Sequence, residues 1–134
     1  MTNVVLDSSA ILAMFLNEPG GKRVEGLFDA IESGGNVKVA VSTVNVCEVL
    51  TRMQRDNKAI TARELYAALS GADIVDFQKR SVELAAGYAR VNQALSLGDR
   101  ACLSLARTQK ATAWTADRFW GTLSLDVPIK LIRP

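Results

Sequence analysis

The sequence predicts an α/β fold in which helices cover both faces of a mostly parallel, five-stranded sheet. Five short apolar runs have the length and composition of buried strands: residues 4–6, 37–41, 74–77, 112–115 and 129–132. Helical patterns lie between them, near residues 9–17, 22–33, 43–56, 61–71, 79–94 and 99–109. Strands that alternate with helices are typical of a parallel sheet buried on both sides.

Each element has a local signal. The first strand, Val4 to Leu6, ends at Asp7, and the apolar patch from Ala10 to Leu16 follows it as a helix. The second helix carries an apolar stripe at the i, i+3, i+4, i+7 spacing: Val24, Leu27, Phe28 and Ile31.

The later elements are patterned in the same way. The helix after the second strand has a core stripe of Val46, Val49, Leu50 and Met53, with Asn45 and Glu48 on an adjoining polar strip. The last long helix opens at Gly98-Asp99. The prolines fall outside these elements, and no linker or repeat divides the chain, so we expect one domain spanning residues 1–134.

The amino-acid composition excludes several kinds of catalytic and metal site. Apolar residues make up 49% and charged residues 22% of the 134 residues, a balance that argues against disorder. The chain contains no histidine, which excludes Ser/His/Asp triads, Cys/His dyads and imidazole-ligated zinc. The net charge of +2 is too small to predict a polyanionic partner.

The cysteines and the N-terminal region predict a cytoplasmic protein. Cys47 and Cys102 form no CxxC motif, and we expect both to be buried small hydrophobes in a reducing compartment. No stretch reads as a signal peptide or a membrane span, because the apolar patch after Asp7 has only seven residues.

Four of the fourteen acids stand out by position. Helices that pack on a parallel sheet begin at the carboxyl ends of the strands, so their N-termini share one edge, where ligands bind in such folds. Asp7 and Asp117 follow strands, Asp99 opens a helix, and Glu48 lies about two turns into one. We therefore expect these four carboxylates at one edge and the other ten on the solvated surface or in turns.

Each acid also has a simpler explanation. Asp7, Asp99 and Asp117 are plausible N-caps, a role that stabilises a helix by roughly 1 kcal/mol. Glu48 could pair with Arg52 at the i, i+4 spacing. Three caps and a surface ion pair, however, need not share an edge.

If the four carboxylates lie close together, a cation is needed to compensate their negative charge. Two carboxylates about 4 Å apart repel by roughly 4 kcal/mol at an effective dielectric of 20. Oxygen ligands without imidazole favour Mg²⁺ or Mn²⁺ over zinc, and such a site suits phosphoryl transfer or phosphodiester hydrolysis.

Four segments of the sequence resemble those of a known family. The segments VLDSSAILAMFLNEPG, STVNVCEVLTRM, LSLGDRACLSLA and WTADRFW resemble, in order and spacing, the PIN-domain ribonucleases, and most closely the VapC-type toxins of toxin–antitoxin pairs. The resemblance implies a three-layer α/β/α fold and a Mg²⁺- or Mn²⁺-dependent endoribonuclease. It also implies a homodimer, inhibition by a VapB-type antitoxin, and products with 5′-phosphate and 3′-hydroxyl ends.

The family's acidic set corresponds to Asp7, Glu48, Asp99 and Asp117. Its hydroxyl near the first Asp corresponds to Ser8 or Ser9, with Ser9 preferred, and that two before the last Asp to Thr115. Each hydroxyl either orients a ligand or caps a helix. Some members carry a further acid where this chain has Phe119, which leaves one or two metal ions open.

Cations and aromatics near the acids are candidates for contacting RNA. Arg100 and Arg118 directly follow two of the acids, and Lys79-Arg80 opens the helix after the third strand. Solvated surface charge explains them equally well. Trp114 and Trp120 could stack on bases, but core packing is the favoured interpretation.

Two other functions stay open. A PIN-fold module that binds RNA or a partner without cutting is the main alternative, although a silent site usually lacks at least one acid. A phosphatase or a phospho-acceptor receiver on a doubly wound sheet would need acids where Ser9 or Ser8 stand.

Overall fold

The computed structural model describes all 134 residues and contains one sheet of five strands. The strands are β1 (Thr2–Leu6), β2 (Val37–Ser42), β3 (Asp73–Val75), β4 (Thr112–Thr115) and β5 (Ile129–Leu131). Their spatial order is β3-β2-β1-β4-β5, and all four pairings are parallel. The predicted α/β class with a five-stranded parallel sheet is confirmed.

Six α-helices connect and cover the strands. They are α1 (Ser8–Phe15), α2 (Gly21–Glu32), α3 (Thr43–Arg55), α4 (Ala62–Ala68), α5 (Val82–Gly87) and α6 (Leu97–Thr108). Three 3₁₀ turns complete the chain, at Lys79–Ser81, Tyr88–Arg90 and Arg118–Thr122. No helix has the length and apolarity needed to cross a membrane.

Two separate cores lie on the two faces of the sheet and give three layers. Val4 and Leu6 of β1 pack into one core with buried residues of α1, α2, α3 and α4. Val5, one position away and therefore on the opposite face, packs into the other core with residues of α6 such as Cys102 and Leu103. Alternate residues of one strand thus anchor both helical layers.

Three expectations need correction. The third strand covers Asp73–Val75 rather than residues 74–77, and the continuous helix expected near residues 79–94 is a 3₁₀ turn, a six-residue α5 and a second 3₁₀ turn. Gly87, a poor helix former, ends α5, and Val82 and Val91 are exposed, so little apolar burial supports a longer helix. Cys47 is exposed on α3, and only Cys102 is buried.

The strand order fixes where a ligand is expected. The chain builds the sheet outward from β1 in one direction with β2 and β3, and in the other with β4 and β5. Ligands in such sheets bind at the carboxyl ends of the strands on either side of this switch point, here β1 and β4. Asp7 directly follows β1, and its amide donates to the Trp114 carbonyl of β4 at 3.1 Å.

Candidate active site

Asp7 is the most buried of the four acids, with 3% of its surface exposed. It is the N-cap of α1, and its Oδ1 accepts a hydrogen bond from the Ala10 amide at 2.8 Å. The structure therefore confirms that Asp7 caps α1. Capping accounts for only one of the hydrogen bonds of this carboxylate, because both oxygens also accept hydrogen bonds from hydroxyl groups.

Two hydroxyls hold the Asp7 carboxylate. Ser9 Oγ lies 2.8 and 2.9 Å from its two oxygens, and Thr115 Oγ1 donates to Oδ2 at 2.6 Å. The same hydroxyls accept from the backbone after β4, Ser9 from the Ala116 amide at 2.9 Å and Thr115 from the Asp117 amide at 3.0 Å. Ser9 rather than Ser8 thus makes the contact with Asp7, and the network ties the ends of β1 and β4 together.

Asp99 lies in the first turn of α6, which begins at Leu97 with Ser96 as its N-cap. Asp99 is therefore the third residue of the helix. The sequence had suggested it as a possible N-cap, and that role belongs to Ser96. Asp99 Oδ2 accepts from the Ser96 amide at 2.8 Å, and the Asp99 amide donates to Ser96 Oγ at 3.1 Å. This capping box satisfies two helix N-terminal amides and leaves Oδ1 without a hydrogen bond.

Glu48 projects from α3 toward the start of α6. Arg52 pairs with Asp56 at 2.9 Å instead of with Glu48, so the simpler explanation of Glu48 as half of a surface ion pair does not hold. The buried Asn45 donates through Nδ2 to Glu48 Oε1 at 3.0 Å and to the Gly98 carbonyl at 3.1 Å. Glu48 is held beside Gly98 so closely that a Cβ added at Gly98 would overlap its carboxylate.

Asp117 is exposed and follows β4 by two residues. It caps the 3₁₀ turn Arg118–Thr122, with Oδ1 accepting from the Phe119 amide at 3.0 Å. Its Oδ2 accepts no hydrogen bond. The amide of Asp117 is bound to Thr115, which also binds Asp7, so one hydroxyl connects the two acids.

The electrostatics show that the acids influence one another. Burial raises the pKa of Asp7 from the ordinary 3.8 to about 6, against the lowering effect of the Thr115, Ala10 and Ser9 hydrogen bonds, and the charge of Asp99 adds to the rise. Burial also raises the pKa of Asp99; the Ser96 hydrogen bonds oppose the rise, and the charges of Glu48 and Asp117 add to it. Each of the four thus enters one interacting set.

No cation in the chain compensates this set. The three salt bridges join Lys38 to Asp73, Arg52 to Asp56 and Arg107 to Asp126, and none involves the four acids. The exposed acid Asp126 also accepts from Tyr88 Oη at 2.6 Å, so it has a structural role beyond the expected solvation.

The donor chemistry fits a hard divalent cation, although the side chains are not closed around one. All four groups offer oxygen, and Gly98 leaves the carboxylate of Glu48 room beside the first turn of α6. No group of three or more acid or thiol side chains is arranged closely enough to ligate one ion as it stands. Direct ligation by three of them therefore needs side-chain movement, and water could bridge the remaining distance.

The predicted RNA contacts occupy different environments. Arg100 is turned inward, its guanidinium donating to the carbonyls of Leu95 at 3.3 Å and Ala85 at 3.4 Å. Lys79 and Arg80 are exposed on a 3₁₀ turn, where Arg80 lines a cavity of about 60 Å³ that none of the four acids reaches. Arg118 is exposed and lines a cleft with Asp117.

Both tryptophans pack in the cores, which confirms the interpretation favoured from the sequence over base stacking. Trp120 is fully buried, and Trp114 is partly buried against the first core. Sequence reasoning missed two features of the site, the close approach of Gly98 to Glu48 and the basic side chain of Arg133. A glycine directly before Asp99 was a signal for the first, whereas nothing local to Arg133 indicates that it lines the same cleft as Asp117.

The fold is similar to several solved structures. The VapBC2 complex from Rickettsia felis, bound to a promoter DNA fragment, has a TM-score of 0.69 at 16% identity, covering 96% of this chain and 98% of that one. VapC20 of Mycobacterium tuberculosis, a sarcin-ricin loop cleaving toxin, has a TM-score of 0.63 at 16% identity, covering 89% and 93%. A toxin–antitoxin complex from Klebsiella pneumoniae has a TM-score of 0.64 at 16% identity, covering 86% and 87%.

At these identities the likeness concerns the fold. Comparison with curated proteins finds no match. The model of the PIN domain family, by contrast, matches residues 4–120, a span that includes all four acids and both hydroxyls that hold Asp7. The chain therefore belongs to the PIN domain family.

Proposed function

We propose that this chain is a Mg²⁺- or Mn²⁺-dependent endoribonuclease and the toxin component of a toxin–antitoxin pair. The observation that carries the proposal is the network at the carboxyl ends of β1 and β4, where the Thr115 hydroxyl donates to Asp7 and accepts from the Asp117 amide. Burial and neighbouring negative charge also raise the pKa of Asp7 and that of Asp99. The absence of any compensating cation among the chain's own side chains supports a bound metal ion.

The proposed division of labour follows from how each acid is held. Asp7, fixed by Ser9 and Thr115, and Asp99, fixed by Ser96, would hold the ion, with Glu48 and Asp117 contributing directly or through water. Such an ion lowers the pKa of a bound water and stabilises charge that develops on the scissile phosphate.

The other residues position this set. Thr115 keeps the Asp7 carboxylate oriented, because its hydroxyl donates to Oδ2 and accepts from the Asp117 amide. Asn45 keeps Glu48 directed toward α6. One of the carboxylates would accept the proton of the attacking water.

Partners are proposed on the same basis. The similar structures include VapBC2 from Rickettsia felis and a toxin–antitoxin complex from Klebsiella pneumoniae, and one similar toxin cleaves the sarcin-ricin loop. We accordingly propose RNA as the substrate and a VapB-type antitoxin as the inhibitor. From the sequence resemblance to VapC-type toxins we propose a homodimer as the active assembly.

The test compares purified wild type with D7N, D99N and the surface control D29N on labelled RNA. We expect cleavage by wild type and D29N in Mg²⁺ or Mn²⁺, none in EDTA, and none by D7N or D99N. Cleavage that continues unchanged in EDTA, or a wild type that cleaves nothing while D7N is equally harmless on expression, would contradict the proposal. The second result would favour the alternative of a silent binding module.

A further inference from the structure

A cleft of about 740 Å³, lined in part by charged side chains, lies beside the acidic site. Its lining includes Ser9 and Ala116 from the network around Asp7, Asp117 and Arg118 from the turn after β4, and Arg133 from the segment after β5. The cleft thus begins at the proposed catalytic carboxylates and extends toward the β5 edge of the sheet.

The backbone around Arg133 is firmly held. The amide of Ile132 donates to the Thr115 carbonyl at 3.0 Å, and the Ile132 side chain is fully buried. Gly20, at a φ of +88°, approaches the Ile132 carbonyl so closely that a Cβ there would overlap it. Arg133 therefore extends from a fixed point, which is also tied to the strand that carries Thr115.

Both arginines of the cleft are free of intramolecular partners. Neither Arg118 nor Arg133 takes part in a salt bridge or a side-chain hydrogen bond, whereas Arg52 and Arg107 pair with acids and Arg100 binds backbone carbonyls. Their guanidinium groups are available to an external anion. A guanidinium binds phosphate through two parallel hydrogen bonds, which suits it to a nucleic-acid backbone.

The lining favours a phosphate over a peptide. Peptide and protein partners usually anchor through apolar side chains in well-packed pockets, but Ala116 is the only aliphatic residue in this lining apart from the prolines. The two arginines offer the free hydrogen-bond donors, because the single hydroxyl proton of Ser9 is already donated to Asp7. The lining holds two arginines against the single acidic side chain of Asp117, so its charge suits an anion without a metal ion. The choice of RNA as that anion comes from the proposed function, on which this inference rests.

We infer that the cleft between Arg118 and Arg133 binds a backbone phosphate of single-stranded RNA next to the cleavage site. The two arginines contact the phosphate without reading base identity. They thereby set the path of the strand from the acidic site toward β5 and contribute to affinity.

The test measures binding of a fluorescent dodecamer of uridine to the full chain in EDTA, where the proposed cleavage stops, across a range of salt concentrations. Each phosphate contact with single-stranded nucleic acid contributes about −0.7 to the slope of log K against log salt. Because both arginines contact the same phosphate, we expect the double variant R118Q/R133Q to reduce the magnitude of the slope by about 0.7. Each single variant should remove part of that value and weaken binding at low salt.

Two further variants make the comparison specific. R63Q removes the same charge from an exposed arginine of α4 that has no partner, and it should leave the slope at the wild-type value. R133K keeps the charge and should restore the slope. In Mg²⁺, R133Q should raise KM for RNA cleavage while kcat stays within about twofold of wild type.

The outcomes separate this inference from the proposed function. A slope that is the same in wild type and R133Q, or a loss in R63Q as large as in R133Q, overturns the inference even if RNA is cleaved. A slope that depends on Arg118 and Arg133 supports it even if the chain cleaves nothing in Mg²⁺, which would overturn the function alone. If an oligoglutamate peptide binds as tightly as the RNA and depends equally on Arg133, the cleft takes acidic peptides and the inference is wrong.

Discussion

The carboxylate of Glu48 occupies the space beside Gly98 where any other residue would place its Cβ. Glu48 comes from the middle of α3 and Gly98 from the first turn of α6, so the contact joins two helices at the site. Asn45 bridges the same pair, because its Nδ2 reaches both the Glu48 carboxylate and the Gly98 carbonyl.

Replacing Gly98 by Ala should separate stability from activity. Alanine is favoured over glycine in a helix by roughly 1 kcal/mol, and the atoms in its way are the flexible end of Glu48, so the fold should adapt at little cost. The displaced carboxylate should lower RNA cleavage by about a hundredfold. Thermal unfolding and cleavage rate are measured together.

The matched control is G26A on α2, where an added Cβ meets nothing within 4 Å. It should raise stability slightly and leave cleavage unchanged. Full activity in a well-folded G98A would show that the position of Glu48 next to α6 has no role in the reaction.

Removing the Asn45 amide should cost both stability and activity. N45A leaves the Gly98 carbonyl and one Glu48 oxygen without their donor in a buried setting, which we expect to destabilise the chain by about 1–3 kcal/mol. Urea denaturation gives the stability, and cleavage at a temperature where the variant stays folded gives the activity.

S104A provides the comparison, since Ser104 is also buried and its hydroxyl donates only to the Ala101 carbonyl of its own helix. It should lose stability without losing activity. Equal activity in N45A and S104A would contradict a positioning role for Asn45.

The pKa of Asp7 predicts an unusual dependence of stability on pH in metal-free protein. Because the folded-state pKa is about 6 and the ordinary value is 3.8, the neutral carboxyl is favoured by folding. Its contribution is complete below pH 3.8 and is lost as pH rises through 6, a change of roughly 3 kcal/mol. Unfolding free energies in EDTA between pH 4 and pH 8 should therefore fall more steeply in wild type than in D7N.

Mg²⁺ should restore part of this loss in wild type at pH 8, since an ion that binds only the folded state stabilises it. D29N, which removes an exposed carboxylate of α2, should follow the wild-type profile. Identical pH profiles for wild type and D7N would show that burial of Asp7 carries no such penalty.

The two thiols should differ in reactivity. Cys47 is exposed on α3, whereas Cys102 is fully buried and its pKa is raised well above the usual range by burial and by the charges of Asp7, Asp99 and Glu48. A colorimetric thiol reagent should titrate one thiol in native protein and two after denaturation. C47S should show none in the native state; one reactive thiol in native C47S would contradict the burial of Cys102.

The sequence was sufficient for the parallel sheet and for the positions of Asp7 and Asp117 at its edge, because both depend on local patterns combined with one topological rule. Asp7 and Asp117 follow β1 and β4, and parallel strands bring their carboxyl ends to one edge. The break near Gly87 was missed because the segment after β3 has a helical pattern in the sequence, whereas Val82 and Val91 stay exposed in the structure. Cys47 was misplaced because it sits one position outside the buried stripe of α3.

Contacts between distant segments could not be predicted from the sequence. Arg133 lines the same cleft as Asp117 because β5 pairs with β4. The orientation of Arg100 depends on the carbonyl of Ala85, fifteen residues away. Neither has a periodic signal in the chain.

The most direct test of the central claim is the anomalous difference map of a crystal soaked in Mn²⁺. Our account predicts an ion bound directly by Asp7 and Asp99, with Glu48 and Asp117 reaching it directly or through water. Mn²⁺ that binds only at other carboxylates, or a map without an ion between Asp7 and Asp99 at saturating Mn²⁺, would contradict the claim that these acids form one metal site.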